Sequence, residues 1–280
     1  MNTPSPTHDK CIVTMSDSNY YPGLESLYCS VQTFFPVPLI CFDIGLTEYQ
    51  KTTIAQQYPL LKVVDLPDTE DVHLVMDSFQ NMDPVSKPGK RVWPLWLCPF
   101  LIINCPYPKV IWMDCDLVVL HHLDVLFELL ETGPVFTPEN LAPARTPNNP
   151  TLYELLPISR EFDPSSPCIN AGVSGWHKER DQHILEAYCY PIIQACHNLA
   201  IREAISWHDQ GALIWAIQKT GQEHRVLNNY SFNLCVKHTP LLSNPLEWSP
   251  DVAERIRQIV TDANIVHWNG HRVPWPANNT

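Results

Sequence analysis

The run KVIWMDCDLVVL, residues 109–120, constrains the fold more than any other stretch of the chain. Its apolar residues read as a strand buried on both faces, the pattern of a central strand in a parallel sheet. Two carboxylates, Asp114 and Asp116, sit inside it, one residue apart. A buried charge is costly unless it is paired or bound to a cation. Residues i and i+2 of a strand share a face, so the two acids converge while Cys115 turns back into the protein. Ligand sites in open α/β sheets gather at the carboxyl ends of such strands. Two acids there suit a hard or borderline divalent ion, Mn2+ or Mg2+. Taken alone, the pair also reads as one cap and one solvated acid.

The neighbouring segments supply the rest of such a sheet. Residues 11–15, 38–44 and 61–66 are short apolar strands, and 23–35 has helical character. Residues 45–58 read as a helix with Thr47 near its start. Alternating strands and helices predict a mostly parallel sheet covered on both faces. Residues 91–104, with Trp93 and Trp96, read as a helix despite Pro94 and Pro99. Between 133 and 167 stand eight prolines (134, 138, 143, 147, 150, 157, 164 and 167), which predicts a long ordered loop. Residues 168–176 restore strand character, and helical patterning follows over 179–200 and 209–219. Residues 224–233 read as a short strand and loop, and 264–275 close the fold.

Charge and cysteine content narrow the function. The 280-residue chain has a net charge of −12, which argues against a nucleic-acid partner. A phosphorylated substrate would need a cation to bridge the repulsion. The ten cysteines include no CxxC pair, and several lie in apolar runs, so reduced thiols are expected. The polar N-terminus has no apolar signal core, and no run reaches the roughly 20 apolar residues of a membrane span. A cytoplasmic protein without a transmembrane segment is the expectation.

With its surroundings, VIWMDCDLVVL resembles the DxD strand of family-8 glycosyltransferases, which have the GT-A fold. Four further segments resemble that family in its order. In VTMSDSNYYPG, Asp17 and Tyr20 or Tyr21 match an acid and an aromatic that hold the nucleobase and ribose; alone, Asp17 reads as a turn residue. In CINAGVSGW, Asn170, Ala171 and Gly172 match the strand that touches the donor sugar. In WHDQGAL, Asp209 and Gln210 match a helix start beside the anomeric carbon; alone, Asp209 reads as a cap. In VHWNGHRVPW, His267, Gly270, Pro274 and Trp275 match H-x-x-G-x-x-K-P-W, whose His is the third metal ligand. The Lys that grips the diphosphate is replaced by Val273, with Arg272, or else His271, as the substitute clamp. The family's basic donor contact upstream has only Lys87, Lys90 and Arg91 near its place.

The resemblance implies an α/β protein: one Rossmann-like GT-A domain with a mostly parallel central sheet flanked by helices. The domain would run over 11–280 after a tail at 1–10, with a nucleotide half at 11–130 and a sugar and acceptor half at 131–280. It further implies transfer, with retention, from a nucleotide-diphosphate sugar, a UDP-sugar as the expected donor, to an acceptor the sequence leaves open. Asp114, Asp116 and His267 would hold Mn2+, or else Mg2+; Gly270 and Arg272 would meet the diphosphate. Asp17, Tyr20, Tyr21 and Cys115 would meet the nucleotide. Asn170, Ala171, Gly172, Lys90 and Arg91 would meet the donor sugar, and Asp209 and Gln210 would be catalytic. Trp176, Trp207, Trp215 and Trp248 either shape the acceptor site or fill the core. A non-catalytic nucleotide-sugar binder is the alternative. A sugar-phosphate nucleotidyltransferase would want a Gly-rich loop after the first strand, where SDSNYYPG has one Gly.

Overall fold

In chain order the elements are β1 (Lys10–Ser16), α1 (Tyr21–Phe34), β2 (Leu39–Asp43), α2 (Glu48–Gln57), β3 (Leu61–Val64) and α3 (Glu70–Phe79). A 3₁₀ turn (Trp93–Trp96) leads to α4 (Cys98–Asn104), β4 (Lys109–Met113), β5 (Leu117–Val119), α5 (Asp124–Leu130), β6 (Val135–Pro138) and α6 (Pro150–Leu155). Then come β7 (Ile169–His177), α7 (Gln182–His197), α8 (Leu199–Ala204), α9 (Asp209–Thr220), β8 (Leu234–Cys235) and β9 (Ile265–His267). This computed structural model describes residues 9–80, 93–139, 150–159, 168–227, 230–235, 258 and 261–268.

The main sheet has six strands in the order β3-β2-β1-β4-β7-β6. β3, β2, β1 and β4 pair in parallel, and only β7 is reversed, antiparallel to both β4 and β6. The expected mostly parallel α/β sheet is therefore present. Alternate residues of one strand feed two cores: Val110 and Trp112 pack with α3, α4, α7 and α9, whereas Ile111 and Met113 pack with α1 and α5. Burial on both faces explains why β1 and β4 are nearly continuous in apolar residues.

Local signals account for most helix boundaries. Thr47 and Gln50 form a reciprocal capping box on α2. Thr69 caps α3, and Glu70 and Asp71 fill its first turn. Pro94 and Pro99 correct the single helix expected over 91–104: Pro99 opens α4, and the chain before it is a 3₁₀ turn. The helix expected over 179–200 is two helices, because Asn198 ends α7 and caps α8. The proline-dense stretch is not wholly a loop, since it contains β6 and α6. β6 is an edge strand, where the missing N–H of Pro138 is tolerated. The strand expected near 224–233 is a pair of 3₁₀ turns, with Val226 bridging to Phe136.

A second, three-stranded sheet has the order β5-β9-β8. β5 and β9 run antiparallel with Leu117 opposite His267, and β8 joins β9 in parallel with Cys235 opposite His267. No disulfide forms among the described residues, which include all ten cysteines. Among them, no helix is long and apolar enough to cross a membrane.

Candidate active site

The two acids sit where the chain passes from one sheet to the other. β4 ends at Met113, residues 115–116 form a turn, and β5 begins at Leu117. The expectation that both acids lie within one strand is thus corrected: a turn, not strand alternation, brings them together. The backbone pins that turn on both sides. Asp114 N–H donates to the Gly172 carbonyl at 2.9 Å, and the Asp116 carbonyl accepts from Trp268 N–H at 3.1 Å. Trp112 Nε1–H donates to Asp114 Oδ1 at 3.0 Å.

The pairing of β5 with β9 carries His267 to the acids from 151 positions away. Its Nε2 lies 3.2 Å from Asp116 Oδ1 and 3.5 Å from Asp114 Oδ2. One ligand atom from each of the three residues lies within 4.8 Å of the others. Asp116 and His267 are buried, and Asp114 is partly open. Burial, and then the nearby charge of Asp116, raise the Asp114 pKa, although the His267 charge opposes them. Burial favours a neutral His267, but Asp116 and Cys235 outweigh it and lift its pKa well above the ordinary histidine value. The site is thus a compact cluster in which two acids favour a positive charge on the imidazole between them.

Gly172 makes room for that cluster. A Cβ there would lie 2.4 Å from His267 Cε1 and 2.8 Å from Asn170 Oδ1. The small residue expected to leave room for a sugar gives that space to the imidazole. A register break in the β6–β7 pairing sets Phe136 opposite Ser174 but Thr137 opposite Asn170, so residues 171–173 bulge. Such bulges re-aim chain segments beside functional sites. Ala171 N–H in the bulge donates to Gln210 Oε1 at 3.3 Å, which ties α9 to β7.

Asp209 opens α9 after two consecutive residues in the left-handed region, Trp207 (φ 56°) and His208 (φ 58°). Such conformations cost about 1–3 kcal/mol each in non-glycine residues and persist where the surroundings enforce them. Here the His208 ring meets Trp96 edge-on at 5.4 Å, and Trp96 stacks on Phe79 at 4.4 Å. Tyr188 hydroxyl donates to Asp209 Oδ2 at 3.1 Å. Burial, with the charge of Asp114 second, pushes the Asp209 pKa up to about 8 despite that bond.

The nucleotide candidates divide. Asp17 Oδ1 accepts from Asn19 N–H at 2.9 Å and from Tyr20 N–H at 3.0 Å, so it shapes its own turn. Burial, then the charges of Asp116, Cys115, Asp17 and Asp114, raise the Tyr20 pKa. Tyr21 faces elsewhere, toward Glu25, Tyr58 and Tyr49. Cys115 sits between the acids, its thiol pushed well up by burial and then by Asp116 and Asp114. Trp176 and Trp215 are core residues, whereas Trp207 is 44% exposed. Lys90, Arg91, Trp248, Gly270, His271, Arg272 and Val273 lie outside the described residues.

Sequence reasoning missed Glu139, Thr137 and Asn233, all buried behind His267. No local pattern marks them, because each lies alone in a loop or at a strand edge.

No protein-family profile and no curated protein matches this sequence. Solved structures do. The galactosyltransferase LgtC, solved with donor and acceptor sugar analogs, superposes with a TM-score of 0.63 at 16% identity, covering 96% of this chain and 90% of LgtC. The bifunctional glycosyltransferase WbbM gives 0.61 at 13% identity, over 98% of this chain and 48% of WbbM. Mouse xyloside xylosyltransferase 1 gives 0.55 at 14% identity, over 95% of this chain and 99% of the mouse enzyme. With the sheet order found here, these likenesses establish that the chain has the GT-A glycosyltransferase fold.

Proposed function

We propose that the protein is a metal-dependent glycosyltransferase that moves a sugar, with retention, from a nucleotide-diphosphate donor, a UDP-sugar first among candidates, to an acceptor. One observation carries this reading. Asp114, Asp116 and His267 converge at the carboxyl end of β4, in the fold of enzymes of which one was solved with donor and acceptor sugar analogs. The donor set fits a divalent cation: two carboxylates and an imidazole, mutually close, with the imidazole seated in space that a Cβ at Gly172 would take. An imidazole beside carboxylates favours Mn2+ over Mg2+. Such an ion would supply Lewis-acid stabilisation for a departing diphosphate.

The protein's own groups do the rest. Tyr20, in the loop after β1, offers a ring on which a nucleobase can stack. Asp17 braces the Tyr20 loop through its two backbone bonds. Asp209, whose pKa in the metal-free site is raised to about 8 by burial and then by the charge of Asp114, offers its carboxyl to a sugar hydroxyl rather than serving as the nucleophile. Gln210 holds the β7 bulge through Ala171 and fixes the start of α9 against it. The acceptor's proton is then left to the departing diphosphate.

Incubation with Mn2+ and a panel of UDP- and GDP-sugars tests the reading. Slow donor hydrolysis that Asp116→Asn abolishes supports it. If no donor turns over but UDP binds in an Asp116-dependent way, the protein is a non-catalytic binder, the reading that Val273 in place of the clamping Lys favours. If UDP binding also ignores Asp116→Asn, the metal-site reading fails.

A further inference from the structure

Behind His267 lies a chain of polar side chains, of which only Asn170 has been given a part above. Thr137, Glu139, Asn170 and Asn233 are each at most 4% exposed. A buried polar network is costly unless its members are satisfied, so its bond directions carry information. They can be read here from a group that only donates. Gly172 N–H gives its hydrogen to Asn170 Oδ1 at 2.9 Å. The Asn170 amide nitrogen therefore faces the other way and donates to Glu139 Oε2 at 2.9 Å. A carboxylate accepts, so both ends of Asn170 agree.

Asn170 Oδ1 accepts a second bond, from Asn233 Nδ2 at 2.8 Å. The same Asn233 nitrogen donates to Thr137 Oγ1 at 2.9 Å. The Thr137 hydroxyl spends its hydrogen on the Val173 carbonyl at 3.0 Å, which leaves a lone pair for Asn233. Asn233 Oδ1 is thereby turned toward His267, 2.9 Å from Nδ1. The Cys235 thiol, donating to that oxygen at 3.7 Å, fits the same orientation. An amide oxygen can only accept, so His267 must carry its hydrogen on Nδ1. Its Nε2, the atom facing Asp114 and Asp116, is then the one that can present a lone pair.

We propose that Asn233 is a positioning residue: oriented by Asn170, Thr137 and Glu139, it holds His267 as the Nδ1–H form and presents Nε2 to a divalent cation. The inference rests on the metal-site reading. It also changes the part played by Asn170. Its oxygen already accepts two bonds and its nitrogen donates one to Glu139, so any contact with a donor sugar uses what remains of the NH2 group.

The test is titration of the full chain with Mn2+ alone, following free ion by EPR, with thermal unfolding as the check on folding. Asn233→Leu removes the acceptor and is expected to weaken Mn2+ binding about 10–100-fold, the usual cost of losing such an outer partner. Asn233→Asp still offers an oxygen to Nδ1 and is expected to recover most of the loss. If Asn233→Leu does not fold, Asn233→Ala carries the same expectation. Wild-type binding matched by a folded Leu or Ala variant overturns the positioning role alone. So does a folded Asp variant as weak as Leu or Ala. A wild-type protein that binds no Mn2+ overturns the metal reading and this inference together.

Discussion

Two carboxylate sites share the region between β4 and α9, and they are built in opposite ways. Asp114 and Asp116 stand with an imidazole, and a buried network aims that imidazole at them. Asp209 stands with a tyrosine hydroxyl, and burial, then the charge of Asp114, raises its pKa to about 8. The same residue type therefore has two roles: an anionic cluster fit for a cation, and a carboxyl that keeps its proton near neutrality. Environment divides the work, and each half can be broken separately.

Asp116→Asn should have the largest effect, removing Mn2+ binding and lowering donor turnover on the order of 10²–10³-fold. Asp209→Ala, which removes the hydrogen-bonding group, should lower turnover about 10²-fold while Mn2+ affinity, read by EPR, stays as in the wild type. A matching loss of metal affinity would collapse the distinction between the sites. Gly172→Ala comes next. Its Cβ would displace His267, so Mn2+ affinity should fall about 10–100-fold with the donor-free fold intact by circular dichroism.

A smaller effect lies in pH. With metal chelated, the unfolded chain releases the Asp209 proton near 3.8 and the folded chain near 8. The folded protein therefore holds the extra proton across that window. The stability this contributes is full below pH 3.8 and is lost as pH rises toward 8. Thermal midpoints should fall more steeply between those values in the wild type than in Asp209→Asn. Tyr188→Phe should have the least effect. It removes the one side-chain bond that lowers the Asp209 pKa, so that pKa should move further up, as infrared spectroscopy of the carboxyl would show.

The legibility of the two sites in the sequence differs for a physical reason. β1, β2 and β4 announce themselves because burial on both faces demands nearly unbroken apolar runs. Asp114 and Asp116 stand out by interrupting one. Asp209 and Gln210 sit at a helix start, and His267 became visible only through a spaced pattern near the chain end. The small sheet is another matter. β5, β8 and β9 have two or three residues each, too short for any periodicity, and β5 pairs with a strand some 150 positions away. Asn233 and Glu139 matter only through that pairing, so nothing local marks them. Thr69 and the acids after it are a visible start signal for α3. β6 was hidden by prolines that an edge strand accepts.

The central claim is that Asp114, Asp116 and His267 hold the cation that receives a nucleotide diphosphate. Calorimetric titration of UDP into the wild type and Asp116→Asn, each with and without Mn2+, tests it most directly. The account predicts that Mn2+ tightens UDP binding at least about tenfold in the wild type, roughly 1.4 kcal/mol, and not at all in Asp116→Asn. UDP affinity that is the same with and without Mn2+ in the wild type would contradict it.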